Sequence, residues 1–226
     1  MKKRNNIILV GASSEVAEQF IKKIDGKHNV YKISSNNFSE TINSLIVTDY
    51  LDEKLKIVNF IQEIDNPYIF FFNGYISENR PKQNPDIDEI NNTIKINFLI
   101  PYAITRSLLD IDKDVKKYIY ISSFAAVKLR FKNFIYGQSK LLLEEAIKSS
   151  PIDNFLIIRF GKINTSMSAN HAKTIFDISK ESAAEVLDKL YEEKSGIVYP
   201  TILIRILSIV MIILPKKIIR ILNIWK

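Results

Sequence analysis

The sequence predicts a single α/β domain built around a doubly wound parallel sheet. Short apolar runs alternate along the chain with stretches of helical spacing, an order that favours right-handed βαβ crossovers. The fourth run, residues 69–72, is apolar at every position, as expected of a strand covered by helices on both faces. A length of 226 residues suits one core, and no repeat or linker rich in proline, glycine or serine divides it.

The predicted elements follow one another from the N-terminus. Residues 7–10 form an apolar run that ends at Gly11, too short for a signal peptide and typical of a buried strand. Helical spacing follows over residues 14–24. Further strands are predicted at residues 30–33, 45–47, 68–72, 117–122 and 155–160, and further helices at residues 53–64, 87–109, 136–148 and 181–193.

The last segment differs in composition from the rest. Residues 201–214 read TILIRILSIVMIIL, too few to span a hydrocarbon core, which needs roughly 20 residues. After Pro215 and two lysines, residues 218–225 place four apolar side chains on one helical face. We therefore expect residues 201–226 to form an apolar and basic helical extension that lies on a membrane surface. A helix that completes the core, or an oligomer interface, is the alternative.

Composition excludes several classes of site. The chain has no cysteine, which rules out disulfides, thiolate catalysis and Cys-ligated metals and suits a reducing cytoplasm. His28 and His171 are far apart in the sequence, so we expect no metal site. The net charge is +7, but much of the excess lies at the two ends and no RNP-like or zinc-finger pattern accompanies it, so we expect no nucleic-acid partner.

The turn after the first strand has the features of a phosphate-binding turn. It reads Gly11-Ala-Ser-Ser-Glu-Val-Ala17 and opens a helix, whose free N–H groups and positive dipole end attract phosphate. Gly11 permits a tight turn, and the small Ser13 and Ser14 permit close approach of the backbone. Taken alone, the motif is a weak signal, and an ordinary strand–helix turn is the alternative.

A second constellation places a phenol beside an ammonium group. Tyr136 and Lys140 are four residues apart on a predicted helix and therefore share one face. A phenol with a pKa near ~10 holds its proton at neutral pH, and a neighbouring cation favours its ionised form, as a carbonyl acid/base requires. Ser123 ends the preceding strand, so its hydroxyl can lie near the phenol. An exposed i,i+4 pair is the alternative.

The order of these motifs resembles the short-chain dehydrogenase/reductase superfamily over about residues 5–200. The resemblance rests on the Gly11 turn, Asp49 after strand three, Asn73-Gly74 after strand four, Asn97 in a helix, Ser123, Tyr136 and Lys140. It implies a single-domain Rossmann fold of about seven strands that binds a nicotinamide dinucleotide, with residues 1–200 as that domain and residues 201–226 as a C-terminal extension.

The resemblance also assigns roles to particular residues. It implies that Tyr136 is the acid/base, that Lys140 lowers the pKa of Tyr136 and binds the nicotinamide ribose, that Ser123 positions the carbonyl and that Asn97 holds a water. The cofactor-binding residues it implies are Gly11, Ser13, Ser14, Glu15, Val16, Ser34, Ser35, Asp49, Asn73, Gly74, Lys140, Gly161, Ile163 and Thr165. Glu15 and Ala17 stand where the family has glycines, so the turn is looser or Glu15 points away.

The end of strand two bears on the choice of cofactor. Residues 31–36 read YKISSN, with no acidic residue. An acid there binds the ribose 2′-hydroxyl of NAD and repels the phosphate of NADP. We therefore expect NADP(H) to be favoured over NAD(H).

A less specific resemblance concerns the substrate. The short loop after strand six and the apolar tail are similar to a membrane-associated keto-sugar reductase subset, the reductase subunits of decaprenylphosphoryl-ribose epimerases. That similarity implies a polyprenyl- or nucleotide-linked keto sugar, cell-surface polysaccharide synthesis, a flavin oxidase partner and a peripheral position on the cytoplasmic face of the membrane. The superfamily implies a homodimer or tetramer. A 3-oxoacyl or other lipid ketoreductase and a non-enzymatic nucleotide-binding module are the alternatives.

Overall fold

The central feature of the molecule is a sheet of seven parallel strands. The structure is a computed structural model, which describes residues 4–35, 43–76, 86–128, 134–170 and 177–215. The sheet has the order β3-β2-β1-β4-β5-β6-β9, and every neighbouring pair is parallel. Its strands are β1 Asn6–Val10, β2 Asn29–Ser34, β3 Ser44–Ile46, β4 Tyr68–Phe71, β5 Lys117–Ser123, β6 Phe155–Phe160 and β9 Gly196–Val198. The predicted doubly wound α/β fold is confirmed.

Helices cover both faces of this sheet. They are α1 Glu15–Ile24, α2 Lys54–Gln62, α3 Ile87–Ile94, α4 Ile100–Asp110, α5 Phe134–Lys148, α6 Lys180–Leu190 and α7 Ile202–Ile213. One apolar cluster joins α2, α4 and α5 to one face, and a second joins α1 and α6 to the other. The four residues of β4 are all buried, which explains its continuous apolar run.

Three short strands have no strong signal in the sequence. The seventh strand of the sheet, β9, has only three residues, which pair with 156–158 of β6. The other two, β7 Ile163–Asn164 and β8 Ile178–Ser179, form a separate two-stranded ladder. Pairing partners distant in the sequence define these strands, so local periodicity does not predict them.

The helix predicted at residues 87–109 is interrupted. Between α3 and α4, residues Lys95–Leu99 form a π-helical segment. Pro101 has no N–H to donate to the carbonyl of Asn97, four residues earlier, and its ring crowds that carbonyl in a regular α-helix. The wider π-helical segment relieves this conflict and contains Asn97 itself.

The last described helix, α7, packs on the turn that follows β5. Ile204 and Met211 are buried against Phe124 in a small apolar cluster. The ammonium group of Lys128 donates hydrogen bonds to the carbonyls of Met211 and Leu214 and so caps the helix. Across the described residues, no helix has both the length and the apolar character needed to cross a membrane. The predicted second helix of the extension, residues 218–225, lies outside the described residues.

Candidate active site

The candidate active site lies where four parallel strands end. Gly11 follows β1, Asn73 lies just beyond β4, Ser123 ends β5 and Gly161 follows β6. Because β1, β4, β5 and β6 are neighbours with the same direction, their carboxyl ends meet at one edge of the sheet. Ligands of open α/β sheets bind at this edge.

Lys140 is the buried cation of the site. Its side chain projects from α5, and the residue is only 4% exposed. Its ammonium group donates hydrogen bonds to the carbonyl oxygens of Asn73 and Ile121, each at 3.1 Å. Burial lowers the pKa of Lys140 to about 8, while the negative charge of Glu144 acts in the opposite direction. A lysine with this pKa changes its charge close to neutral pH.

Tyr136 lies in the first turn of α5, one helical turn before Lys140. It is half-buried, and its backbone carbonyl accepts a hydrogen bond from the Ser139 hydroxyl at 2.8 Å. The spacing places the phenol and the ammonium group on the same face of one helix. The sequence predicted this helix, and the pairing of the phenol with the ammonium group stays a prediction.

Ser123 ends β5 and begins the next turn. Its hydroxyl accepts a hydrogen bond from the N–H of Ala125 at 3.1 Å and so caps a short 3-10 turn over Phe124–Ala126. Gly137 packs directly on this turn, since a Cβ built on it would lie 2.7 Å from the Ala125 carbonyl oxygen. A residue without a side chain thus allows α5 to approach the strand end that carries Ser123. We did not predict a role for Gly137, although a glycine inside a helix is itself a signal of close packing.

Asn97 holds the loop after β4. It is fully buried, its amide oxygen accepts from the N–H of Tyr75 at 2.9 Å, and its amide nitrogen donates to the Tyr75 carbonyl at 2.8 Å. Lys140 binds the same loop through Asn73. The π-helical segment and α5 therefore fix this loop from two sides. Gly74 is half-buried within it.

The turns after β1 and β4 touch each other. Gly11 has φ +82°, and a Cβ on it would lie 3.0 Å from the backbone nitrogen of Asn73. The N–H groups of Gly11 and Ala12 both donate to the carbonyl of Ile33, at 3.0 and 3.1 Å. Gly11 is thus required by a positive φ and by contact between two strand ends.

A buried acceptor without a partner among the described residues lies at this edge of the sheet. The side-chain oxygen of Asn73 is buried and has no hydrogen-bond partner within the described part of the chain. A buried polar atom without a partner is costly unless a ligand or water supplies a donor. Asn73 borders the Gly11 turn, where a dinucleotide would lie in this kind of sheet. The residues present therefore fit a nicotinamide dinucleotide.

The predicted residues of the first turn have different environments. The Ser14 hydroxyl caps α1 by accepting from the N–H of Ala17 at 3.1 Å, Ser13 is half-buried and Val16 is in the core. Glu15 is directed toward the segment after β7: its carboxylate accepts from the N–H of Ser166 at 2.6 Å and from the ammonium group of Lys180 at 2.8 Å. Hydrogen bonds from Lys180 and Ser166 lower the pKa of Glu15 to about 2.

On the β2 side, Ser34 is buried and Ser35 is exposed. Asp49 is held by the N–H groups of Leu51 and Asp52 and by the ammonium group of Lys95. The hydrogen bond from Lys95 lowers the pKa of this carboxyl. The sequence predicted Asp49 at this edge but not its ion pair with the π-helical segment.

Tyr50 was also missed by sequence reasoning. Its hydroxyl lies 3.5 Å from the Ile33 carbonyl oxygen and interacts with Ser35 and the backbone of Gly11. It is 8% exposed and lies beneath the turn that joins β1 to α1. The Asp-Tyr pair after strand three is the sequence signal that could have indicated it.

The remaining predicted residues follow β6. Gly161 is half-buried, Ile163 lies in β7 and packs on the core beside α1 and α6, and Thr165 donates its N–H to the Ser168 hydroxyl at 3.1 Å. This segment borders Glu15 through Ser166. The edge therefore brings together all the strand ends to which the sequence assigned site residues.

Solved structures with this arrangement are numerous. A short-chain dehydrogenase of Burkholderia cenocepacia in complex with NADP superposes with a TM-score of 0.72 at 14% identity, covering 93% of this chain and 94% of that one. A short-chain dehydrogenase of Streptomyces avermitilis gives a TM-score of 0.70 at 13% identity, with coverage of 100% and 97%. This chain has the short-chain dehydrogenase fold.

The likeness in fold extends to proteins of different named activities. The aldohexose dehydrogenase of Thermoplasma acidophilum shares the short-chain dehydrogenase fold with this chain at a TM-score of 0.67 and 14% identity, covering 87% of this chain and 92% of that one. No family model matches the sequence, and no curated protein matches it. The comparisons therefore establish the fold, and the activity is argued from the site.

Proposed function

We propose that this chain is an NAD(P)-dependent oxidoreductase that interconverts a ketone and a secondary alcohol. The observation that carries the proposal is the environment of Lys140. Its buried ammonium group bridges the ends of β4 and β5, one helical turn from Tyr136. A titratable cation with a perturbed pKa at the ligand-binding edge of such a sheet indicates acid/base chemistry.

Each of the four residues has a distinct task in the proposed reaction. During reduction, the Tyr136 hydroxyl gives its proton to the substrate oxygen, and Lys140 stabilises the resulting phenolate by its charge. The Ser123 hydroxyl donates a hydrogen bond to the substrate oxygen and orients it. Asn97 fixes the Tyr75 backbone and thereby the loop that accepts from Lys140. A nicotinamide dinucleotide bound beside the Gly11 turn would supply or accept the hydride.

For the cofactor we propose NADP(H) over NAD(H). Strand β2 ends at Ser34, and Ser35 follows it. Residues 29–35 contain no acidic residue, and Lys32 of the same strand is half-buried. A carboxylate is the group that selects NAD at this position, and hydroxyl groups near a lysine accept a 2′-phosphate better.

For the substrate we propose a polyprenyl- or nucleotide-linked keto sugar used in cell-surface polysaccharide synthesis. Seven of the thirteen large apolar side chains exposed in the described structure lie on α7, and the sequence after this helix, residues 216–226, is rich in basic and apolar residues. Such a surface suits a peripheral position on the cytoplasmic face of a membrane, where a lipid-linked substrate is found. A flavin oxidase that forms the ketone and a homodimeric or tetrameric assembly belong to this proposal.

The same surface also favours a second candidate, a 3-oxoacyl or other lipid ketoreductase. An exposed apolar helix next to the Ser123 turn would serve an acyl chain as well as a polyprenyl chain. The four site residues are the same for both substrates, so only the substrate distinguishes them.

The proposal is tested by cofactor binding and turnover on the full-length chain. NADPH and NADH are titrated by fluorescence, and oxidation of the bound cofactor is followed with keto sugars and with 3-oxoacyl thioesters. We expect tighter binding of NADPH and turnover of the keto sugars. Turnover of the thioesters alone would favour the lipid reductase. Binding of the dinucleotide without turnover of any ketone, or no binding at all, would contradict an oxidoreductase.

A further inference from the structure

A buried ion pair joins α5, the helix that carries Tyr136 and Lys140, to strand β6, and the proposed proton transfer does not use it. Glu144 of α5 is 1% exposed and Arg159 of β6 is 11% exposed. The Arg159 Nε donates to both carboxylate oxygens, at 3.1 and 3.0 Å, and its Nη2 donates to Oε2 at 2.5 Å. The Ser122 hydroxyl donates to Oε1. On its outer side, Arg159 donates to the Tyr199 hydroxyl at 2.8 Å.

Glu144 lies one helical turn beyond Lys140 on the same face of α5. The ammonium group of Lys140 is hydrogen-bonded to the neutral carbonyls of Asn73 and Ile121. Glu144 is the group whose charge raises the pKa of Lys140 against the effect of burial. Lys140 and Lys148 each lie one helical turn from Glu144 on α5, and Lys148 pairs with Glu145 at the surface. Arg159 of β6 binds Glu144 directly.

The pair also holds the end of β5. Ser122 and Arg159 are partners in the register of β5 and β6, so their side chains emerge on the same face of the sheet, toward α5. Ser122 lies between Ile121, whose carbonyl accepts from Lys140, and Ser123. A carboxylate bound to Ser122 therefore fixes the strand segment that carries both.

Stability alone does not account for such a pair. Burying two charges costs desolvation energy that their attraction roughly balances, and apolar residues of similar volume often do as well. A purely stabilising pair would not need to lie one helical turn from Lys140, as Glu144 does.

We infer that Glu144 is a positioning residue for the proposed reaction: held by Arg159 and Ser122, it keeps Lys140 in its charged form and fixes the strand end to which Lys140 binds. This inference rests on the proposed function, in which the charge of Lys140 supports the phenolate of Tyr136. The Glu144 carboxylate would then be the group that keeps Lys140 protonated although Lys140 is buried.

The direct test is the titration of Lys140 by NMR, without any cofactor. The chain is labelled with ¹³C at lysine Cε, and the Lys140 resonance is assigned by its absence in Lys140→Met. In Glu144→Gln the midpoint for Lys140 is expected to fall by roughly one pH unit, since an opposite charge one helical turn away shifts a pKa by about this amount. In Glu144→Asp the charge is retained, and the midpoint is expected to return toward that of the parent.

Glu145 provides a matched control. Its side chain is 53% exposed and pairs with Lys148 on the surface, so Glu145→Gln is expected to leave the midpoint of Lys140 unchanged. If Glu144→Gln fails to fold because Arg159 loses its partner, the double variant Glu144→Gln/Arg159→Gln removes both charges. Its Lys140 midpoint is expected to fall in the same direction but by less, because the positive charge of Arg159, which disfavours a second cation nearby, is removed as well. A Lys140 midpoint equal to that of the parent in Glu144→Gln, or in the double variant where only that one folds, would overturn the inference.

A second readout separates this inference from the proposed function. NADPH affinity is measured from pH 6 to 10, and its loss at alkaline pH is expected to move to lower pH in Glu144→Gln by the same amount as the NMR midpoint. If the parent binds no NADPH at any pH, the proposed function fails whatever the NMR result. If NADPH binds and its pH profile is the same in both proteins, the inference fails while the proposed function stands.

Discussion

Lys140 shows at the residue scale how burial creates reactivity. An exposed lysine has a pKa near 10.5, whereas the buried Lys140 has one of about 8. The two carbonyls that accept its hydrogen bonds only partly replace the water that the cation loses. Burying this charge therefore lowers the free energy of unfolding, and the size of this effect depends on pH.

This cost gives a prediction for the pH dependence of stability. Below pH 8 the folded chain carries a buried cation, and between pH 8 and 10.5 the folded state has lost a proton that the unfolded state still binds. The free energy of unfolding contributed by Lys140 should therefore rise with pH across this window, by up to roughly 3 kcal/mol.

Thermal unfolding of the parent and of Lys140→Met measures the effect. Loss of the two hydrogen bonds lowers the stability of Lys140→Met by an amount that does not depend on pH. The informative quantity is therefore the change with pH of the difference in stability between the two proteins. Relative to Lys140→Met, the parent should gain stability as the pH rises above 8. A difference between the two proteins that is constant with pH would contradict a buried, titrating Lys140.

Gly137 gives a second prediction at the residue scale. A Cβ at this position would lie 2.7 Å from the backbone oxygen of Ala125, which cannot move without moving the turn that Ser123 caps. Gly137→Ala should therefore push α5 away from this turn and lower turnover at least about tenfold, because a displacement of about 1 Å in a catalytic group has a cost of this order or more.

The matched change is Ala146→Gly, at a half-buried position in the same helix. It should cost only about 1 kcal/mol of helix stability and leave turnover close to that of the parent. Equal turnover in Gly137→Ala and the parent would show that the close packing does not position the site.

The residues that the sequence could predict are those with a local signature. The i,i+4 spacing placed Tyr136 and Lys140 on one helical face, and the polar residues after successive strands indicated Asn73 and Ser123 at one edge. Partners from distant parts of the chain gave no such signal. The ion pair of Asp49 with Lys95 and that of Glu15 with Lys180 depend on contacts between separate elements, which no local pattern encodes.

At the scale of elements, the sequence predicted the long strands and helices but not the break in the helix predicted at residues 87–109. Pro101 was read as part of a family motif rather than as a helix breaker. The missing N–H of Pro101 explains the π-helical segment. Asn97 lies in this segment and hydrogen-bonds to Tyr75 in the loop after β4. The three-residue β9 was missed because β6, not its own composition, defines it.

The helix α7 exposes more large apolar side chains than any other described helix. It buries Ile204 and Met211 against the Ser123 turn while Ile206 and Ile213 are 52% and 74% exposed. Deleting residues 201–226 would also remove the packing on Phe124, so substitutions on the exposed face are the cleaner test of membrane contact.

We predict that Ile206→Ser/Ile213→Ser lowers binding to anionic phospholipid vesicles at least about tenfold, because two large apolar side chains are lost from the contact. Co-sedimentation measures the binding, and the melting temperature should stay near that of the parent. Leu55→Ser is the matched control, since Leu55 is 72% exposed on α2, away from α7, and should leave binding unchanged. Vesicle binding by the double variant equal to that of the parent would exclude α7 from the membrane contact.

At the scale of the whole molecule, the fold determines where the candidate site lies, and the side chains at that place determine which chemistry it can perform. Parallel strands bring the ends of β1, β4, β5 and β6 to one edge, where Lys140 binds two of the strand ends and Gly11 packs against Asn73. Many activities share this fold. The substrate therefore depends on side chains and loops around the edge, whereas the position of the reaction depends on the sheet.

The central claim, that Tyr136 is the acid/base of a ketone reductase, is tested most directly by Tyr136→Phe, which removes one oxygen atom. Turnover of a keto substrate with NADPH and NADPH affinity are measured on the same preparation. The account predicts that turnover falls by at least roughly two orders of magnitude while NADPH affinity stays within about twofold. Turnover within a few-fold of the parent would contradict it.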